Sequence, residues 1–173
     1  MPKICDNKSV GILVWNKGEL LMIERRKYNF GFAIPAGHQD GDDPETIAKK
    51  ELFEEVGLKT GGLEKKLEIG LPNPCKREGG AQHDWTVFEA NGWTGEIKPS
   101  QDETKSYFWA DRKRIIELAE RLQEFAKSQG ISLSPDGHDL PRLVEASNTD
   151  PAWRENPGLE PPMYFLFKEL GIL

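Results

Sequence analysis

The stretch AGHQDGDDPETIAKKELFEEVGL, Ala36 to Leu58, restricts what this chain can fold into more than any other. Asp43 can accept from the free N–H groups of a first helical turn, Pro44 suits that turn, and Gly57 suits a helix exit. The spacing therefore predicts a helix over Pro44 to Val56. At about 100° per residue, Glu51 neighbours both Glu54 and Glu55, while Leu52 and Val56 form an adjacent apolar stripe. One flank can therefore be buried while three carboxylates stand beside the core, at the helix end where the dipole disfavours anions. Two ionised carboxylates about 4 Å apart repel by roughly 4 kcal/mol at an effective dielectric near 20. The helix end adds about 0.3–1 kcal/mol. Lys49 and Lys50 relieve part of this as local ion pairs. A divalent cation relieves far more, because clustered carboxylates suit Mg²⁺ or Mn²⁺. Taken alone, a Glu/Lys-rich helix is ordinarily a solvated face.

Around this helix the pattern is mixed. SVGILVW (Ser9 to Trp15) reads as a buried strand, NKG as a turn, and ELLMIERR (Glu19 to Arg26) as its hairpin partner. FGFAIPAG is a short strand stopped by Pro35 and Gly37. LEKKLEIG and DWTVFEANGW read as strands joined by the turn-rich LPNPCKREGGAQH, and SYFWA as another. Asp111 can cap a helix whose Ile115, Leu118, Ala119, Leu122 and Phe125 recur at helical spacing. Gly130 to Pro162 reads as irregular on its proline content, and MYFLFKEL (Met163 to Leu170) as a short apolar helix that must cover something. The order implies an α/β chain with a mixed sheet between helices, not repeating βαβ units. At 173 residues a single domain is expected, with a C-terminal helical extension from about 130 to 173.

The second half of the acidic stretch, KELFEEVGL (Lys50 to Leu58), resembles the signature of the Nudix hydrolases, G-x5-E-x7-R-E-U-x-E-E-x-G-U with U a bulky aliphatic residue. Asp42 stands for the first glutamate and Lys50 for the arginine, and the loop from Gly37 is one residue shorter than the signature. The resemblance implies an α/β/α sandwich around a mixed sheet. It also implies Mg²⁺- or Mn²⁺-dependent hydrolysis of a nucleoside diphosphate linked to another group: ADP-ribose, a nucleotide sugar or a (d)NTP. Carried over by position, Glu51, Glu54 and Glu55 are metal ligands, with Glu51 and Glu55 the surer pair and the Ala36 carbonyl beside them. Asp42 would help hold the loop on the helix, and Lys50 would orient a glutamate, although lysine lacks the arginine fork. Family members recruit a further carboxylate as ligand or base; Glu103, next to Asp102 ahead of SYFWA, is the choice here. The departures at Asp42, Lys50 and the loop also admit a catalytically weak, nucleotide-binding sensor.

Arg25, Arg26 and Lys27 precede the box and could meet phosphates or form a solvated turn; Tyr28 and Phe30 could stack on a base or fill a core. CKREGGAQH could cover the site or simply connect strands. Cys5 and Cys75 lack metal-site spacing and read as reduced thiols of a cytoplasmic protein. His38 is expected to make a structural hydrogen bond, while His83 and His138 have no interpretable partner; Trp85 and Trp109 read as core. A net charge of −6 leaves no footprint for duplex nucleic acid, and no stretch approaches a membrane span. The expected partner is a small nucleotide. The apolar tail could pack on its own domain or form a homodimer contact.

Overall fold

The apolar run of residues 9–15 serves two sheets rather than one hairpin. The computed structural model describes residues 3–173. Its elements are β1 (Lys8–Leu13), β2 (Trp15–Asn16), β3 (Glu19–Arg25), β4 (Gly31–Ala33), β5 (Ala36–His38), α1 (Pro44–Val56), β6 (Leu63–Leu71), β7 (His83–Ala90), β8 (Thr104–Ala110), α2 (Arg112–Ser128), α3 (Leu140–Thr149), α4 (Pro151–Glu155) and α5 (Pro161–Glu169). β1 lies between β5, antiparallel, and β7, parallel, in a mixed sheet of order β5-β1-β7-β6. It is buried from Ser9 onward, as a central strand covered on both faces must be. Only β2 completes the expected hairpin with β3, through a turn in which Lys17 and Gly18 both have positive φ. β3 pairs antiparallel with β2, β4 and β8 in the second sheet. The expected single sheet is thus two, because the chain changes sheets at Val14, whose carbonyl accepts from Leu21 N–H at 2.9 Å.

Strand alternation divides the core. Val10, Ile12, Val14, Leu21 and Ile23 pack with Ile47, Ala48, Leu52 and Val56 of α1. Leu13, Leu20 and Met22 face the other way, into a cluster with Ile115, Leu118 and Leu122 of α2 and the apolar residues of α3 to α5. Helices therefore cover both sides of the strands, the mixed α/β layering that the sequence implied.

Residues 130–162 are not irregular. Proline stands at the first or second position of α3, α4 and α5, where its missing N–H costs nothing, so a proline-dense segment is a succession of short helices. Pro161 to Phe167 are all buried, and the apolar tail is covered by its own chain. The approach to α5 runs against β4: Phe32 N–H donates to the Gly158 carbonyl and Glu160 N–H to the Phe32 carbonyl, both at 2.9 Å. Gly31 permits this contact, since a Cβ there would sit 2.8 Å from Glu160 N. The consequence is functional: Glu160, far along the chain, is delivered next to Arg25.

Candidate active site

α1 forms as its end signals dictate. The Asp43 carboxylate accepts from Thr46 N–H at 3.1 Å, and Gly57 exits in the left-handed region at φ 79°. Its buried flank carries Glu55 into the interior, where Oε2 accepts from Ala36 N–H at 3.1 Å. Glu51 lies against Gly37 so closely that a Cβ on Gly37 would be 2.3 Å from its Cδ. Glycine is required there for steric reasons. Arg25 reaches over both carboxylate neighbours, with Nη1 3.9 Å from Glu55 Oε1 and Nε 3.6 Å from Glu160 Oε2.

Burial pushes Glu55 up to about 8, against the pull of Arg25 and with a further push from Glu51. Burial also raises Glu51 to about 7, helped by repulsion from Glu54 and Glu103. Without a cation, both carboxyls thus keep their protons to a higher pH than an ordinary glutamate. Both values stand above the ordinary 4.5, so the stability the neutral forms contribute is complete below about 4.5 and is lost as pH rises through 7 and 8. The melting temperature without added metal should accordingly fall between pH 6 and 8.5, and millimolar Mg²⁺ should flatten the fall. At about 2–4 °C per kcal/mol for a chain of this size, calorimetry across that range resolves the effect. Identical curves with and without Mg²⁺ would remove the cation from this pair.

Ala36 and Gly37 line a cavity of about 600 Å³, together with Arg25, Tyr28, Glu103 and Glu160. Lys27, Lys76 and Arg77 share the lining, the last two from the β6–β7 loop, which is both a strand connection and a wall of the site. Not every expected residue is there. Arg26 and Phe30 line a separate, smaller recess; Phe30 lies under the Arg154 guanidinium at 4.2 Å, and its carbonyl accepts from Trp153, so it is a packing residue. Glu54 and Lys50 form an exposed pair at 3.9 Å, so Lys50 engages Glu54 rather than the inner glutamates. The Asp42 side chain is exposed, and the loop is held through Asp43 and through the Asp42 backbone, which bonds Gln39. Arg25, expected to face phosphate, is instead already engaged by two buried carboxylates.

The residues fit a hard divalent cation. Glu55 has one oxygen pinned by Ala36, Glu51 and Glu103 both repel it, and Glu54 and Glu103 repel Glu51. Their oxygens are nevertheless not drawn into one tight group. Among the described residues, the group of three or more ligating side chains within 4.8 Å of one another is Cys5, His38, Cys75 and His83. The sequence reading missed this group, and it misjudged His38, whose Nε2 is buried without a hydrogen-bond partner. It missed Glu160 as well. No local pattern announces either, because their partners are brought together only by the sheets.

The NUDIX domain family model matches residues 6–130, well over half of the chain. The chain belongs to the NUDIX family. It is a Nudix hydrolase, and α3 to α5 lie beyond the matched residues. No curated protein matches it in sequence. Among solved structures, it resembles the MutT Nudix hydrolase of Burkholderia pseudomallei, at 19% identity and TM-score 0.55, over 62% of this chain and 84% of that one. The MutT protein of Methanosarcina mazei Go1 aligns at 18% identity and TM-score 0.54, over 91% and 99% of the two chains. The NUDIX domain of Shewanella oneidensis NrtR, solved with ADP ribose, aligns at 12% identity and TM-score 0.52, over 75% and 90%. At these identities the likeness is one of fold. Among the described residues, no helix of this Nudix hydrolase is long and apolar enough to cross a membrane.

Proposed function

We propose that this Nudix hydrolase cleaves the diphosphate of a nucleoside diphosphate linked to a further group, with Mg²⁺ or Mn²⁺ held by Glu51 and Glu55 and the Ala36 carbonyl. One observation carries the reading. Buried Glu55 and half-buried Glu51 abut Ala36 and Gly37, and the cavity that Ala36 and Gly37 line also bears Lys27, Lys76 and Arg77. Carboxylates for a cation and cations for phosphate oxygens thus share one site.

The bound cation supplies positive charge that neutralises diphosphate oxygens and acidifies water. The chain supplies the rest. Ala36 N–H fixes one Glu55 oxygen, and the Arg25 guanidinium, 3.6 Å from Glu160 and 3.9 Å from Glu55, sets positive charge on the other side of Glu55. Lys27, Lys76 and Arg77 bind the outer phosphate charge, and Tyr28, half-buried in the lining, offers a ring face to the base. Glu103 lines the cavity with an exposed carboxylate that acts on Glu51, Glu55 and Arg25, and it takes the proton from the attacking water. Glu54 contributes less, because it must first leave Lys50. A NUDIX domain of similar fold holds ADP ribose in the Shewanella structure, and ADP-ribose belongs to the proposed substrate class with nucleotide sugars and (d)NTPs. The free thiols suit a reducing compartment, the cytoplasm.

The test is a panel of ADP-ribose, nucleotide sugars and (d)NTPs with Mg²⁺ and with Mn²⁺, products identified by mass. Metal-dependent release of a nucleoside monophosphate from a linked diphosphate is the expected result. Tight binding without turnover across the panel would overturn it in favour of a nucleotide sensor.

A further inference from the structure

Beside the proposed catalytic site stands a second constellation with different chemistry. Cys5 precedes β1, His38 ends β5, Cys75 lies in the β6–β7 loop and His83 begins β7, and their ligating atoms all lie within 4.8 Å of one another. We propose that Cys5, His38, Cys75 and His83 form a closed tetrahedral zinc site that clamps the N-terminal segment and the β6–β7 loop onto β5.

The geometry is close to what the metal needs. Zn–S bonds of about 2.3 Å and Zn–N bonds of about 2.0 Å at tetrahedral angles set ligand atoms about 3.3–3.8 Å apart. Cys5 Sγ is already 3.3 Å from His83 Nε2. The supporting bonds select the right atoms. His83 Nδ1–H donates to the Asn73 carbonyl at 2.7 Å, which leaves the Nε2 lone pair aimed at Cys5. Asn73 is itself fixed by Trp85, whose Nε1–H donates to its side-chain oxygen at 3.1 Å. Asn7 N–H donates to Cys5 Sγ at 3.3 Å, as suits a thiolate. The loop closes over Cys75 at Gly80, where a Cβ would lie 2.2 Å from Sγ. Most tellingly, His38 Nε2 is buried among these groups with no partner among the described residues. A metal bond completes it.

The donor set chooses the ion. Two thiolates and two imidazoles select zinc over Mg²⁺ or Mn²⁺, and four protein ligands leave no open position for chemistry. Zn²⁺ with two thiolates is also neutral overall, so the buried group carries no unpaired charge. The clamp acts at the substrate wall, since His38 follows Ala36 and Gly37, and Cys75 is followed by Lys76 and Arg77. It involves none of the glutamates and stands or falls independently of them.

The experiment uses the full chain, purified under reducing conditions without chelator. Elemental analysis should find about one zinc ion per chain, and absorption spectroscopy at the zinc edge should show sulfur at about 2.3 Å and nitrogen at about 2.0 Å. Cys5→Ser and Cys75→Ser should each lose the zinc. Should either variant fail to fold, wild type gives the same answer, since thiol modification should release zinc in step with the cysteines modified. A zinc shell without sulfur, thiols that react freely in zinc-loaded protein, or a Cys5–Cys75 disulfide in its place would each overturn the assignment.

Discussion

Glu51→Gln should lower kcat by more than about 100-fold at saturating Mg²⁺, since even partners of metal ligands cost 10–100-fold when removed and Glu51 is placed as a ligand itself. The exchange keeps shape and removes charge. Glu51 fills the space left by Gly37, and glutamine fills it equally. The same exchange relieves a folding cost, because burial and the neighbouring Glu54 and Glu103 already push the Glu51 proton up to about 7. Activity and stability should therefore move in opposite directions: turnover collapses while the metal-free melting temperature at pH 8 holds or rises. Glu54→Gln is the control, because its exposed side chain pairs with Lys50 and its loss should cost less than about tenfold. Full turnover by Glu51→Gln, or a melting temperature that falls as far as activity does, would detach this carboxylate from the chemistry.

What the sequence disclosed and what it withheld follow one physical division. Features set by neighbours along the chain were readable. Asp43, Pro44 and Gly57 bound α1 where the capping signals put them, and Asp111 caps α2 by accepting from Arg114 N–H at 2.8 Å. The placing of Glu51 and Glu55 on one side of α1 follows from helical period alone. Features set by tertiary placement were not. The apolar run ending at Trp15 carries no mark of where it leaves one sheet for the other. Prolines beyond Gly130 looked like breakers because, without the helices in view, a proline at a helix start cannot be told from one in a loop. Cys5, His38, Cys75 and His83 are scattered over the sequence with no motif spacing, and only the pairing of β1 with β5 and β7 gathers them. Glu160 is the same case, reached through a bridge between Phe32 and Leu159.

Trp153→Ala should destabilise the protein by about 3–5 kcal/mol, the range for removing a buried large aromatic, and lower the melting temperature by about 6–20 °C. Trp153 lies beyond the matched NUDIX residues, so a detachable tail would make this substitution silent. Three observations argue otherwise. The indole is 2% exposed, and it packs on Phe125 of α2 with ring centroids 4.8 Å apart. Its Nε1–H also donates to the Phe30 carbonyl at 3.0 Å, which fixes the loop between Arg25 and Gly31 that carries Tyr28 and Lys27 into the cavity. Alanine leaves a void and removes the hydrogen bond to the Phe30 carbonyl together. Trp153→Phe separates the two effects, because it keeps most of the packing and removes the hydrogen bond, a cost of about 0.5–1.5 kcal/mol. We therefore read α3 to α5 as part of the same folding unit as the NUDIX residues: they cover the α2 side of the strands, deliver Glu160 to Arg25 and brace the substrate loop. A single calorimetric transition that shifts as a whole in Trp153→Ala is the expected record. An unchanged main transition, with only a small separate one lost, would make the C-terminal helices an independent appendage.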